Sequence, residues 1–546
     1  MGATTSLFSH PLFLVLGSAI LYIVSYDAPA YAWPLGFVAL VPLFFFLRNE
    51  QSLKRVFRYG FLFGVVTIAG VIVWFLSTYP LEWAGIGNKF VGAAIAITVW
   101  TLTSILLGLF FALFAVLFKK LARNDWHDIL VAPSLWVLME FARAFFLSLL
   151  FLGNQSSLGP DWIFGFFGYS LVWSRVLAYL APWGGVYLLS FVGVAINCAL
   201  FLALYRMRQG KTATKFFVVV GVLAALYVTD QVVSLNTTRA ISGDTKTIAI
   251  VTTNFPATFS QGFLDIDEQA NTLERLLGEA VQSSPDIIVL PEDSYALPYL
   301  GTTTIQTLLE REKKEVMLID SAQVSDALGT RERVFFYSSV RGVAGTSDKT
   351  FLMPYGEYLP HIAVATARLF NFQEWLSAFD DVRGYQRGNI AVPISFEGHV
   401  LGVLFCSEII PDSLYRKLAG GGADIFFNVA SHADFHNGER ILYNQTLSSA
   451  KMKAAANRRF FVQAGNYMPS FVLNELGEIL GESVRGEDSV LLAKVGFKTT
   501  KTPYTRFGDW ILLVAAFFVT FYSWRMQANS PLNRSRAFDR NTQSIS

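Results

Sequence analysis

Cys406 sits where a strand-like run, Val400-Leu401-Gly402-Val403-Leu404-Phe405, gives way to Ser407-Glu408. The chain has two cysteines, and the other, Cys198, lies deep in an apolar segment that reads as membrane-embedded. Cys406 therefore has no evident disulfide partner. A lone thiol at a strand end, with glutamate and lysine motifs upstream, has the make-up of a nucleophile. It also fits a buried core position, since free cysteine packs as a small hydrophobe. Two more stretches carry chemistry. Val289-Leu290-Pro291-Glu292-Asp293 puts a carboxylate where a buried strand ends. Asp348-Lys349-Thr350-Phe351-Leu352-Met353-Pro354-Tyr355-Gly356-Glu357-Tyr358-Leu359-Pro360 sets an ammonium and a second carboxylate eight residues apart. Taken singly, Glu292 and Lys349 read as members of an ordinary ion pair.

The elements that must position these residues lie between about Asn236 and Phe507. Short β-rich runs at 247–251, 286–290, 315–319, 334–340, 391–396, 400–405, 424–429, 460–464 and 471–474 alternate with helical stretches at 265–281, 412–419 and 443–457. Such interleaving predicts a layered α/β domain. The rest of the chain is of another kind. Over the whole sequence hydrophobic residues make up 53% and charged residues 15%, against about 25% charged in soluble domains. Candidate membrane spans run over 11–26, 32–47, 59–78, 90–118, 129–152, 177–205, 216–234 and 510–524. No Lys or Arg precedes the first, so it does not read as a cleaved signal peptide. Basic residues at Arg48–Arg58, Lys119–Arg123, Arg206–Lys215 and Arg525–Arg540 alternate with loops almost free of Lys and Arg. The alternation predicts both termini in the cytoplasm, seven spans to residue 235, the domain 236–507 outside, one span at 508–525, and a disordered tail at 526–546. A net charge of +2, without a basic aromatic-rich tract, argues against nucleic acid as a partner.

Glu292, Lys349 and Cys406, in this order and each at a strand end, resemble the catalytic triad of the nitrilase (carbon–nitrogen hydrolase) superfamily. Asp348-Lys349-Thr350 followed by Pro354-Tyr355-Gly356-Glu357-Tyr358-Leu359-Pro360 resembles more particularly the membrane-bound branch of that superfamily, the apolipoprotein N-acyltransferases. The likeness extends to Ala32-Trp33-Pro34-Leu35, Gly60–Gly64, Ala132–Glu140, Gly184–Phe191 and Thr502–Trp510. It implies a polytopic α-helical bundle of about eight spans carrying an extracytoplasmic αββα nitrilase-like sandwich, in a bacterial inner (plasma) membrane. By the same resemblance Glu292 is the proton acceptor, Cys406 the nucleophile, and Lys349 the stabiliser of the oxyanion, its ammonium also favouring the thiolate. Glu357 is implied as a supporting residue that orients Lys349 or the incoming amine, with Ser407 and Glu408 beside the nucleophile. The implied partners are a phospholipid acyl donor, a diacylglyceryl apolipoprotein acceptor and the bilayer. No cofactor or metal is implied, because the donor is already an activated ester.

The chain departs from the family pattern where an aromatic usually follows the nucleophile and Ser407 stands here. It departs again at His432-Ala433-Asp434-Phe435 and at Ala456, where a glutamate is usual; Lys453 and Arg459 match. Other pairings stay open: His432 and His436 as metal ligands, a Cys406–His432 couple, and Glu140 with Arg143 as an intramembrane pair or a headgroup contact. Gly420-Gly421-Gly422 reads as a turn. A membrane-tethered amidase that uses water as acceptor, and a non-catalytic bundle with a decayed domain, are the rival classes.

Overall fold

In the computed structural model, described for residues 10–84, 86–123, 125–210, 214–236, 243–256, 266–310, 314–327, 329–435 and 439–528, β-branched and aromatic runs build two six-stranded sheets. The strands are β1 Thr245–Thr252, β2 Ile287–Val289, β3 Met317–Asp326, β4 Gly329–Ser338, β5 Gly342–Asp348, β6 Ile394–Phe396, β7 His399–Phe405, β8 Ile425–Ser431, β9 Phe460–Asn466, β10 Phe471–Leu473, β11 Ile479–Glu482 and β12 Ser489–Gly496. One sheet runs β12-β1-β2-β3-β4-β5, the other β11-β10-β9-β8-β7-β6. Each has a parallel core, β1-β2-β3 and β7-β8-β9, flanked by antiparallel strands. Strands of a parallel core covered on both faces read as continuous apolar runs, which is why those six were legible, whereas three of the six flanking strands, β5, β11 and β12, were not.

The sheets pack face to face through Ile248, Ile250, Val289, Ile319, Val403, Phe427 and Val462. Helices Ile266–Val281 and Ala296–Leu309 cover the outer face of the first sheet through Leu273, Leu277 and Leu308. Helices Asp412–Gly420 and Arg440–Asn457 cover the second through Tyr415, Leu418 and Leu447. The layering is helix, sheet, sheet, helix. Thr253, just past β1, bridges to Asn466 at the end of β9, so the carboxyl ends of both parallel cores face one region.

The remaining helices form an apolar bundle. By length and composition, the segments Pro29–Asn49, Lys89–Leu121, Asp128–Leu150 and Ala181–Arg208 suffice to cross a membrane; Pro11–Asp27, Val220–Val232 and Trp510–Met526 are apolar but shorter. Three expected spans are interrupted, that over 59–78 where the helix Leu53–Val71 gives way to a 3-10 helix at Val73–Thr78. Residues 32–47 are not one helix: a 3-10 turn at Trp33–Phe37, holding Pro34 and Gly36, precedes the helix Val41–Asn49. The helix Ala181–Arg208 breaks at Gly184-Gly185, where Gly185 has φ +61° and a Cβ would lie 2.6 Å from the Tyr504 ring. The close approach of Tyr504 accounts for the glycine. The expected disordered tail lies outside the described residues from 529 on, as does His436.

Indole, phenol and amide groups tie the sandwich to the bundle. Trp74 Nε1 donates to Gln445 Oε1 (3.1 Å), Trp173 Nε1 to Ser448 Oγ (2.8 Å), Tyr169 Oη to Asp412 Oδ1 (2.9 Å) and Tyr358 Oη to the Phe151 carbonyl (2.8 Å). Asn444 Nδ2 donates to the Asp27 carbonyl (2.8 Å), which fixes helix Arg440–Asn457 over the bundle.

Candidate active site

Glu292 follows β2 on a sharp turn. Asp293 and Tyr295 take left-handed backbone angles (φ 57° and 53°), which turn the chain abruptly after Pro291. Buried Asp320 holds that turn by accepting from Ser294 Oγ (3.0 Å) and from the Ala296 and Leu297 amides (3.2 and 2.7 Å). Lys349 follows β5, its amide donating to the Glu332 carbonyl (2.9 Å) and its carbonyl accepting from Gly388 (2.7 Å). Cys406 opens a 3-10 turn, Cys406–Ile409, at the end of β7.

These three elements converge. Lys349 Nζ lies 2.9 Å from Glu292 Oε1 and 2.5 Å from Glu357 Oε1, all three side chains buried. The other Glu357 oxygen accepts from the Met353 amide (2.6 Å). Cys406 and Glu292 meet across one residue: Ser431, at the end of β8, accepts from Cys406 Sγ through its carbonyl (3.6 Å) and donates from its amide to Glu292 Oε2 (3.2 Å). Glu408 is a clasp rather than a reacting group. Its Oε1 accepts from the Thr350 amide (2.7 Å), Thr350 Oγ1 (2.5 Å) and the Phe351 amide (3.1 Å), while Oε2 accepts from the Phe405 amide (2.8 Å). Ser407 Oγ donates to the Phe351 carbonyl (2.9 Å). Together they lock the lysine loop to the turn that carries the thiol.

The electrostatics suit a base paired with a neutral thiol. Burial, opposed by Lys349, raises the Glu292 carboxyl to about 7. Burial alone would depress the Lys349 ammonium, but Glu292 and Glu357 outweigh it and hold the lysine charged. Burial and then the Glu292 charge push the Cys406 thiol well up, and Lys349 only partly offsets them. Lys349 does favour the thiolate, but burial and Glu292 outweigh it, so the sulfur rests protonated and ionising it takes a base.

Cys406 and Ser407 line a cavity of about 110 Å³ whose wall comes from both parts of the molecule. Tyr26, Trp74, Ile163 and Phe164 come from the bundle; Met353, Ile409 and Ala430 come from the sandwich. Arg143 and Glu140 shape this wall from inside the bundle. Arg143 donates to the Phe164 and Gly165 carbonyls (both 2.9 Å), and Glu140 accepts from the Phe167 amide (2.8 Å) and Trp136 Nε1 (3.0 Å). No direct ion pair links the two among the described residues, so the expected pairing gives way to separate backbone anchors. Lys453 pairs with Asp412 at 2.5 Å, and Ala456 packs in the core shared with the bundle. His432 lines the same cavity as Cys406. Among the described residues no cluster of three His, Cys, Asp or Glu side chains is placed to hold a metal.

Sequence reasoning missed Ser431, Glu332 and Asp320. Ser431 acts through its backbone, which leaves no sequence signature. Glu332, buried close to the triad with its carboxyl raised by burial and by Asp293, sits in a strand that reads as a charged surface run. Asp320, inside β3, follows the apolar run Val316–Ile319, much as Glu292 follows the apolar run of β2, and that shared sequence pattern was the available signal.

Two family models match the chain: the apolipoprotein N-acyltransferase N-terminal domain over residues 18–199 and the carbon–nitrogen hydrolase domain over 247–502. An apolipoprotein N-acyltransferase of Geobacter metallireducens is 25% identical, the alignment covering 94% of this chain and 95% of that protein. Its namesake from Pseudomonas syringae is 26% identical over 92% and 94%. Among solved structures, an amidase from Nesterenkonia sp. aligns over 50% of this chain and 96% of its own, at 13% identity and a TM-score of 0.33, too loose a likeness to carry weight.

Proposed function

Since the chain belongs to the apolipoprotein N-acyltransferase family and is an acyltransferase, we propose that it moves a fatty acyl chain from a membrane phospholipid to a lipoprotein. The acceptor is the α-amino group of an N-terminal diacylglyceryl-cysteine, and the acyl chain passes through a thioester on Cys406. The observation that carries this reading is the cavity: an apolar space at Cys406, walled jointly by bundle and sandwich, suits an acyl chain arriving from the bilayer.

In the first half-reaction Glu292 takes the thiol proton as Sγ attacks the ester carbonyl. Lys349 Nζ faces the developing oxyanion, and Glu292 returns the proton to the departing lysophospholipid alkoxide. In the second, the amine attacks the thioester, the C–S bond breaks, and the amine proton passes by way of Glu292 to the leaving sulfur. Glu357 holds Lys349 in place, while Ser407 and Glu408 hold the loop that carries it. The donor is an ester, so no cofactor or metal is required.

We place seven spans within residues 1–235 and an eighth at 508–525, with 236–507 on the periplasmic side of a bacterial inner membrane. The arginines favour this orientation. Arg48 lies over Tyr205, Arg123 over Tyr522, Arg206 over Trp126 and Arg208 over Phe45, at 4.7–5.1 Å. These pairs gather at the helix ends opposite those that meet the sandwich, where the positive-inside rule expects the cytoplasm. Cys406→Ala in the purified full-length protein should abolish transfer to a diacylglyceryl lipopeptide, while Cys198→Ala retains it. Transfer by the Cys406 variant near the parental rate would overturn the assignment.

A further inference from the structure

His432 follows Ser431, the residue whose backbone joins Glu292 to Cys406, and it lines the cavity with the thiol. The residue is 3% exposed, and its Nδ1 has no hydrogen-bond partner among the described residues. Its other ties orient the ring without engaging that nitrogen: the backbone amide donates to the Asn466 carbonyl (2.9 Å), and the ring meets Phe435 edge-on, with centroids 6.0 Å apart. Several other polar groups in the wall are already engaged. Ser407 Oγ donates to Phe351 and Ser449 Oγ to the Ile409 carbonyl; Tyr169 Oη donates to Asp412. Gln445 donates to Asp27 and Val71 and accepts from Trp74. A buried polar atom left unpaired costs stability, and such atoms in a site find their partner in what the site binds.

We propose that the His432 imidazole is the positioning residue for the acceptor, taking a hydrogen bond from the amine that resolves the Cys406 thioester. The inference rests on the acyl-transfer reading above. A neutral primary amine attacking the thioester carbonyl carries two N–H groups. One proton leaves by way of Glu292 as the C–N bond forms and the C–S bond breaks, and it restores the thiol. The other N–H stays on what becomes the amide nitrogen and needs an acceptor inside an apolar wall. His432 supplies it and takes no proton. Burial lowers the imidazole to about 3, which keeps the ring neutral and able to accept. The phospholipid donor brings no N–H to the reacting carbon, so the imidazole matters to the second half-reaction and not to the first.

The test separates the half-reactions. Full-length parental protein, His432→Leu and His432→Asn are charged with phospholipid, and acyl-enzyme formation is followed by intact mass. A diacylglyceryl lipopeptide is then added and discharge is timed in a single turnover. Both variants should charge within about twofold of the parent. Discharge should fall about tenfold in the leucine variant, the scale of one lost hydrogen bond, and stay within about threefold in the asparagine variant, which keeps an acceptor at the δ position. Unimpaired discharge in the leucine variant would overturn the inference alone. Parallel losses in charging and discharge, or an asparagine variant as slow as leucine, would also overturn it. Absence of any acyl-enzyme in the parent would overturn the acyl-transfer reading itself, and the inference with it.

Discussion

Replacing Glu357 by Gln tests how the lysine is held. Glu357 presents one oxygen to Lys349 Nζ at 2.5 Å and the other to the Met353 amide at 2.6 Å. A glutamine cannot serve both donors. With its amide oxygen toward Lys349, its NH2 opposes the Met353 N–H; reversed, its NH2 opposes the ammonium. Either way one buried hydrogen bond to a charged group is lost, about 1.5–3 kcal/mol. Expressed fully in the transition state, that slows acyl-enzyme formation by roughly tenfold to 150-fold. The substitution has a second, signed consequence. Burial raises the Glu292 carboxyl to about 7; the Glu357 charge adds to that rise and the Lys349 ammonium opposes it. Without the Glu357 charge, Lys349 pairs with Glu292 alone, and the Glu292 carboxyl titrates lower. The rate of acyl-enzyme formation rises as Glu292 loses its proton near pH 7 in the parent, so in the variant this acid limb should move to lower pH while the plateau falls. The assay is a pre-steady-state pH profile of acyl-enzyme mass. An acid limb that stays in place or moves to higher pH, or a plateau within about threefold of the parent, would refute the reasoning.

Glu408→Gln sets an NH2 against the Phe405 amide or against the three donors of residues 350–351, so it should destabilise the protein by about 1.5–3 kcal/mol and slow charging of Cys406. A thermal midpoint matching the parent would contradict this. Reporter fusions near Arg55 and after Arg525 should read as cytoplasmic and one near Gly329 as extracytoplasmic; a cytoplasmic signal from the Gly329 fusion would reverse the proposed orientation.

Two of the three reacting side chains were legible because each follows an apolar strand. Glu292 and Cys406 follow β2 and β7, whose buried apolar residues signal parallel strands. β5, which delivers Lys349, was not legible: Gly342-Val343-Ala344-Gly345-Thr346-Ser347-Asp348 is half-exposed at a sheet edge and weak in β-formers. Lys349 came instead from its motif. β11 and β12 were hidden for a similar reason, as exposed residues interrupt their apolar alternation. The joint cavity could not be read from the chain, because Tyr26, Trp74 and Phe164 reach Cys406 only through tertiary packing. Glu140 and Arg143, three apart on one helix, suggested a mutual pair; the backbone of residues 164–167 comes close enough to take them separately. A helical spacing shows which residues share a face, not what approaches that face.

The most direct measurement is the intact mass of purified full-length protein given phospholipid and no acceptor. A thioester in an apolar cavity walled by the bundle is shielded from water. The parental protein should therefore retain a base-labile acyl mass on Cys406, and a diacylglyceryl lipopeptide should discharge it to an N-acylated product. Steady release of free fatty acid, with no acyl-enzyme and no amide product, would contradict the account and make the protein a membrane-tethered hydrolase.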